Sequence, residues 1–320
     1  MLLLLGSQWF GERVGVLASL AASLDYLSVR QSVSIMPEVL FVFFLLLFFG
    51  ASSQGWKTRQ NGWLLLSGLL GGLVLLTKDV LVWYFPVVLL WYFFWKEPWR
   101  LCASRIAVFL LGLCVVVGPW AARNSLLSKR WMLITAGEGY TFYLANNPHT
   151  TGGSTGGDWE FKRDIPPLEK VREEHPELQG MSEAETEKYL FQKALEYTLT
   201  HPRRFFALVG RKIVNMWRPY QADSPLLAKW ASALSYVPVM VFGIFGLARS
   251  FSRWREFFPV WVLLAYIFCL HAVLIAHIRY RYSVMPFLMV FAAFAMIELW
   301  ERVRLALANA GVTENRRMFF

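Results

Sequence analysis

Four cations stand where apolar runs of this chain give way to short polar segments: Lys78, Arg123, Arg279 and Arg281. Fixed cations at such borders can hold an anionic lipid head group by charge-assisted hydrogen bonds, Arg as a planar fork and Lys as a compact point charge. The carboxylates closest to these borders are Glu38, after Pro37, and Asp79, beside Lys78. Each residue also has a plainer use. Lys78-Asp79 supplies the hydrated tip that a tight helical hairpin needs, Arg279 and Arg281 can anchor a helix end, and Glu38 suits the opening turn of a helix, where its charge meets the dipole.

The stretch GYTFYLANNPHTTG adds Tyr140, Tyr143, Asn146 and Asn147, which offer stacking faces and amide hydrogen bonds of the kind that bind sugars, or else form an interfacial turn. His271 and His277 have no i, i+4 partner and no nearby pair of carboxylates, so no metal site is expected. Cys102, Cys114 and Cys269 sit in or beside apolar runs and form neither a disulfide framework nor a Cys-x-x-Cys motif. No cofactor is implied.

The elements that must position these residues follow from composition. With 56% apolar residues, 17% aromatic, 17% charged and a mean hydropathy of +0.41, the chain falls outside the range of soluble domains. It reads as an all-α polytopic membrane protein. Trp residues cluster where apolar runs end, among them Trp56, Trp95 and Trp120, as an aromatic belt requires. The net charge of +10 is spread over short loops, which argues for topology signals and lipid-phosphate contacts rather than nucleic acid.

Eight transmembrane helices are expected, at 14–28, 33–50, 62–77, 80–95, 106–121, 230–248, 257–277 and 283–300. Gly68 and Gly72 have the spacing of a close helix contact. Twelve Lys and Arg in one set of loops and the tail, including Arg59, Arg105, Arg316 and Arg317, face four in the other set. The positive-inside rule puts the richer set in the cytoplasm of a cell (inner or plasma) membrane. The expected organisation is an N-terminal membrane region 1–122, an extracytoplasmic domain 123–229, a C-terminal membrane region 230–300 and a basic cytoplasmic tail 301–320. In the outer domain the run from Gly137 to Gly157 is rich in breakers and expected to be irregular. Ser182 and Glu185 form a capping box ahead of one helix, and 203–217 forms a second, basic and amphipathic, with Arg203, Arg204, Arg211 and Lys212 toward head groups.

Six segments, MPEVLF, GLLGGLVLLTK, PWAARN, GYTFYLANNPHTTG, HPRRFFALVGRKIVNMWRP and RYRYSVMPFL, occur in that order. Together they resemble the GT-C membrane glycosyltransferases that use polyprenyl-phosphate sugar donors, such as protein O-mannosyltransferases and aminoarabinose transferases. The resemblance implies that Lys78 and the arginines hold the carrier phosphate, and that transfer inverts the anomeric carbon on the outer face. The acceptor would be a protein, a lipid or a glycan. It also implies an acidic base in the first outward loop, between the first two helices. No position here matches that base, so the chain is expected to lack N-terminal helices or to be inactive, with Glu38 and Asp79 as substitutes in principle. Two other readings fit parts of the pattern: a non-catalytic subunit that binds the lipid carrier, and a transporter or flippase of lipid-linked precursors. A transporter needs polar residues along its helices, and 106–121 and 257–268 are almost purely apolar.

Overall fold

The computed structural model describes residues 1–34, 36–129, 131–135, 139–152, 171–173, 175–222 and 224–317, with side chains described as far as residue 308. The described residues form helices joined by turns and irregular segments, without strands. Two short helices, α1 (Leu2–Phe10) and α2 (Glu12–Leu24), form a hairpin about Gly11, and α3 (Tyr26–Ser32) follows. Then come α4 (Pro37–Thr58), α5 (Asn61–Thr77), α6 (Tyr84–Leu89) and α7 (Trp99–Ser128). A polar section holds α8 (Gly139–Ala145), α9 (Glu183–Thr200) and α10 (Pro202–Trp217). The chain ends in α11 (Leu226–Arg249), α12 (Trp254–Val273) and α13 (Met285–Arg317).

Among the described residues three stretches, not eight, are long and apolar enough to cross a membrane: Pro37–Thr58, Trp99–Ser128 and Leu226–Val273. The larger expectation treated each apolar run as one span, and the chain breaks several of them. Asp25 ends the first run by capping α3, its Oδ2 accepting from the Ser28 amide at 2.8 Å. The run at 80–95 is divided between 3-10 turns and the six-residue α6. Leu226–Val273 absorbs two runs, α11 and α12, joined by the turn Ser250–Arg253. Finally, α13 meets Glu298, Glu301 and Arg302 within its first eighteen residues.

Local chemistry explains the longest elements. Pro37 occupies the first turn of α4, where its missing N–H costs nothing, and Met36 before it is extended, as a residue preceding Pro must be. Pro119 does not end α7: the helix runs on to Ser128, so Arg123 lies on its last turns rather than in a loop. The GLLGG spacing does bring helices together. A Cβ on Gly68 would lie 2.1 Å from the Phe109 carbonyl oxygen, and one on Gly112 would lie 2.4 Å from that of Leu65. Only glycine permits that backbone approach between α5 and α7. The central post is the start of α13, where every residue from Arg281 to Ala293 is buried. A helix apolar on all sides must be enclosed on all sides. Phe287 and Phe291 there pack with Trp9, Phe49 and Phe257 from α1, α4 and α12.

In the polar section the Ser182–Glu185 capping box forms as expected. The expected irregular run contains α8 instead, because Tyr140 to Ala145 holds no breaker once Gly139 has started the helix. Its glycines at 153 and beyond lie outside the described residues, as do the side chains of Arg316 and Arg317.

Candidate functional site

At one end of the bundle, three elements deliver a charged cluster. The first turn of α4 carries Glu38, the extended residue after α5 is Lys78, and the turn Ile278–Ser283 carries Arg279 and Tyr280. Lys78 Nζ lies 3.3 Å from Glu38 Oε1 and 5.1 Å from the centre of the Tyr280 ring. Arg279 Nη2 donates to the Tyr280 hydroxyl at 3.0 Å, with its guanidinium carbon 4.9 Å from that ring. His271 stacks on Tyr280 at 4.4 Å and 7°, and its Nδ1 donates to the Ile275 carbonyl at 2.9 Å. The ring of Tyr280 thus fixes the two cations around Glu38. His277 is no third cation: burial holds its pKa at about 4, and its Nδ1 accepts from the Arg279 amide at 3.1 Å.

Lys78 is ion-paired with Glu38, Arg279 feels the same carboxylate electrostatically, and the side chain of Glu38 is only 8% exposed. Its Oε2 and the Arg279 Nε are both buried without a hydrogen-bond partner among the described residues. Buried polar atoms are rarely left so, and a site with a surplus positive charge and an open donor is complementary to an anion.

Asp79 and Arg123 belong to the same end. Asp79 Oδ2 accepts from the Thr135 hydroxyl at 2.5 Å. Residues 131–135 are in turn held to the end of α7, where Asn124 Nδ2 donates to the Ile134 carbonyl at 2.9 Å. Arg123 is exposed beside them, 3.1 Å from Asn124 Oδ1 and 5.2 Å from the Trp120 ring centre. Its link to the cluster is indirect, through Asn124, residues 134–135 and Asp79.

Arg281 is brought to a different place. It is 1% exposed, its Nη1 donates to the carbonyls of Met216 and Arg218, and its guanidinium lies 3.7 Å above the Tyr236 ring. It fastens the end of α10 to α11, and its Nε is buried without a hydrogen-bond partner among the described residues. Asn146 and Asn147 are likewise committed. Asn147 ends α8 by donating to the Tyr143 carbonyl at 2.9 Å and accepting from the His149 and Thr150 amides. Asn146 donates to the Val273 carbonyl at 3.0 Å and accepts from Lys212 Nζ at 3.0 Å.

Lys212 therefore does not face head groups: it is 1% exposed and also donates to the Val273 carbonyl at 2.7 Å, and its burial lowers its pKa to about 7. Leu208 and Met216, one turn to either side and both buried, were the signal in the sequence that this face points inward. Tyr140 donates its amide to Glu187 Oε2 at 3.0 Å. Tyr143 meets His175, Glu177 and Tyr197 in a cleft of ≈ 770 Å³. There Tyr143 Oη and His175 Nε2 are 2.7 Å apart, and Glu177 Oε1 accepts from Tyr189 at 2.5 Å, a bond that holds the Glu177 pKa at about 2. No sequence signal marked His175, Glu177 and Tyr189, which meet only through the fold. Among the described residues no group of His, Cys, Asp and Glu could hold a metal ion.

Residues 1–121 match the family model described as dolichyl-phosphate-mannose-protein mannosyltransferase. No curated protein and no solved structure matches the chain. The matched segment contains Glu38, Lys78 and Asp79, whereas Arg123, Arg279 and the α8 region lie beyond it. The first 121 residues are thus similar to that mannosyltransferase family, and together with the long apolar helices this supports a membrane protein.

Proposed function

We propose that this chain transfers a sugar from a polyprenyl-phosphate donor to a hydroxyl acceptor at the end of the bundle that carries Lys78, on the extracytoplasmic face. The observation that carries the reading is the half-buried cluster of Lys78 and Arg279 around Glu38, with a surplus positive charge and unpartnered polar atoms. A polyprenyl phosphate presents its charge at the depth where these cations stand, and its chain would lie along apolar helices. Lys78 and Arg279 hold the phosphate, and Arg123, at the same end of the bundle, is a further candidate contact. Arg281 takes no part.

The chemistry then needs one displacement. The acceptor oxygen forms a bond to the anomeric carbon from the face opposite the phosphate, the bond from that carbon to the phosphate oxygen breaks, and the configuration inverts. The phosphate leaves with both electrons of that bond, stabilised by the cations, and the acceptor's proton passes to a carboxylate. Within this chain Glu38 is better placed than Asp79 to take it, because Oε2 is unpartnered while Asp79 is bonded to Thr135. The distribution of Lys and Arg supports the outward placement of this end and of 123–229.

Sugar transfer from a polyprenyl-phosphate donor in membranes containing the Arg279→Ala variant tests the reading. A rise in donor KM together with a fall in kcat is expected, since the cation binds the phosphate in both ground and transition states. Wild-type kinetics in a variant that inserts normally would reject the assignment.

A further inference from the structure

The opposite end of the bundle holds a second cationic cluster with unmatched donors. Arg59 follows the last residue of α4 in a left-handed conformation, φ 59°, which turns its side chain back over the bundle. Its guanidinium carbon lies 4.0 Å from the ring centre of Trp95 and 4.6 Å from that of Trp56. Arg105, in the second turn of α7, lies 4.7 Å from the same Trp95 ring, with Nε 2.9 Å from Glu97 Oε2. Trp56 in turn stacks on Trp91 at 4.9 Å and 10°. Arg105 is 7% exposed and Trp95 5%. Among the described residues, three buried donors around this one ring have no acceptor: Arg59 Nη1, Arg105 Nη1 and Trp95 Nε1.

Two guanidiniums against one carboxylate leave a surplus positive charge, as at the Lys78 end; Glu97 Oε2 and Arg105 Nε face each other as an ion pair without a hydrogen bond, and the three other unmatched atoms are donors. Leaving a buried donor unpaired costs about 1–3 kcal/mol, more when it is charged, and three in one cluster call for a shared acceptor that carries negative charge. The depth of the cluster narrows the class. α4 runs 22 residues from Pro37 to Thr58, which at a helical rise of about 1.5 Å per residue spans roughly 33 Å, close to the thickness of a bilayer's hydrocarbon core. With Glu38 at one end of that helix and Arg59 at the other, the two clusters sit at the two head-group planes.

We propose that Arg59, Arg105 and Trp95 form a binding site for the phosphate of an anionic phospholipid in the leaflet opposite the Lys78 cluster. The site is separate from sugar transfer and stands whether or not that reading holds. The lipid phosphate accepts from the two guanidiniums and the indole, Glu97 keeps Arg105 in place, and Trp56 and Trp91 wall the head group from the helices.

The full chain, purified in detergent and stripped of lipid, should melt several degrees higher with phosphatidylglycerol than with diacylglycerol, which has no phosphate. Native mass spectrometry should show phosphatidylglycerol retained. Arg59→Gln, at the less buried position, should bind it about tenfold more weakly, the loss of one charge-assisted hydrogen bond, and Arg105→Lys should weaken it as well. An equal shift in wild type and Arg59→Gln would overturn the site, as would no shift in wild type. Inorganic phosphate protecting the chain as well as the lipid would overturn the lipid assignment in favour of a soluble anion.

Discussion

The two ends of the bundle are built from the same parts, cations held over aromatic rings beside one carboxylate, and they differ in what is left unpaired. At the Lys78 end a carboxylate oxygen of Glu38 is open beside Arg279. At the Arg59 end the carboxylate oxygen without a hydrogen bond, Glu97 Oε2, is held against Arg105 Nε at 2.9 Å, and the other open atoms are donors. A carboxylate oxygen with no ion-pair partner of its own, beside cations, can take a proton, whereas one held against a guanidinium is kept charged and leaves the surrounding donors to bind. The difference separates an end suited to chemistry from an end suited to anchorage. Arg281 shows the third possibility, a buried cation largely satisfied by the protein's own carbonyls.

The comparison predicts effects of different size and kind. The largest is at Lys78: Lys78→Ala should lower sugar transfer by at least about 100-fold, the scale of removing one preorganised charge from a transition state, with insertion unchanged. Activity near wild type would erase the distinction between the ends. Arg281→Ala should instead cost stability, roughly 3–5 kcal/mol as for other broken buried charge contacts, read as a lower melting temperature in detergent with the donor KM of the surviving protein unchanged. A raised donor KM would return Arg281 to the phosphate site.

Between the ends, Gly68→Ala should destabilise by about 1–3 kcal/mol, because the added methyl meets the Phe109 backbone and α5 must move away from α7. That shift would disturb both clusters, so both donor kinetics and phospholipid retention should weaken together. A smaller, pH-dependent effect is expected at Lys212. Its folded pKa is lowered by burial to about 7, against 10.5 when unfolded. The unfolded chain therefore binds more protons between these values, and stability should rise with pH across that window. Lys212→Met should flatten this rise, which urea unfolding at a series of pH values would reveal. The smallest effect, about 1 kcal/mol, is expected for Ser182→Ala, which removes the cap of α9 far from both clusters.

Much of this was legible in the chain. The apolar composition, the Trp at run ends and the GLLGG spacing identify a membrane helical bundle and its closest helix contact, because hydropathy and small-residue spacing act locally. The capping box at Ser182 is local in the same sense. The number of spans was not legible: whether an apolar run makes one helix depends on breaks such as Asp25 and the turns of 79–95, which are fixed by packing as much as by residue type. Asn146 and Asn147 look like sugar ligands in the sequence because their amides are polar in an aromatic loop; both line the cleft beside Tyr143, and both also hold helix ends, which only the fold reveals.

By itself, then, the sequence determined the class of the protein, its aromatic and cationic borders and the residue types available for phosphate binding, since these follow from solvation and charge. Only the tertiary structure decided which cation does what. Lys78, Arg123, Arg279, Arg281 and Lys212 are equivalent as charges at a border. What distinguishes them is whether the fold supplies a carboxylate, an open cavity or a set of backbone carbonyls within about 3 Å, the range in which a buried charge must find its partner.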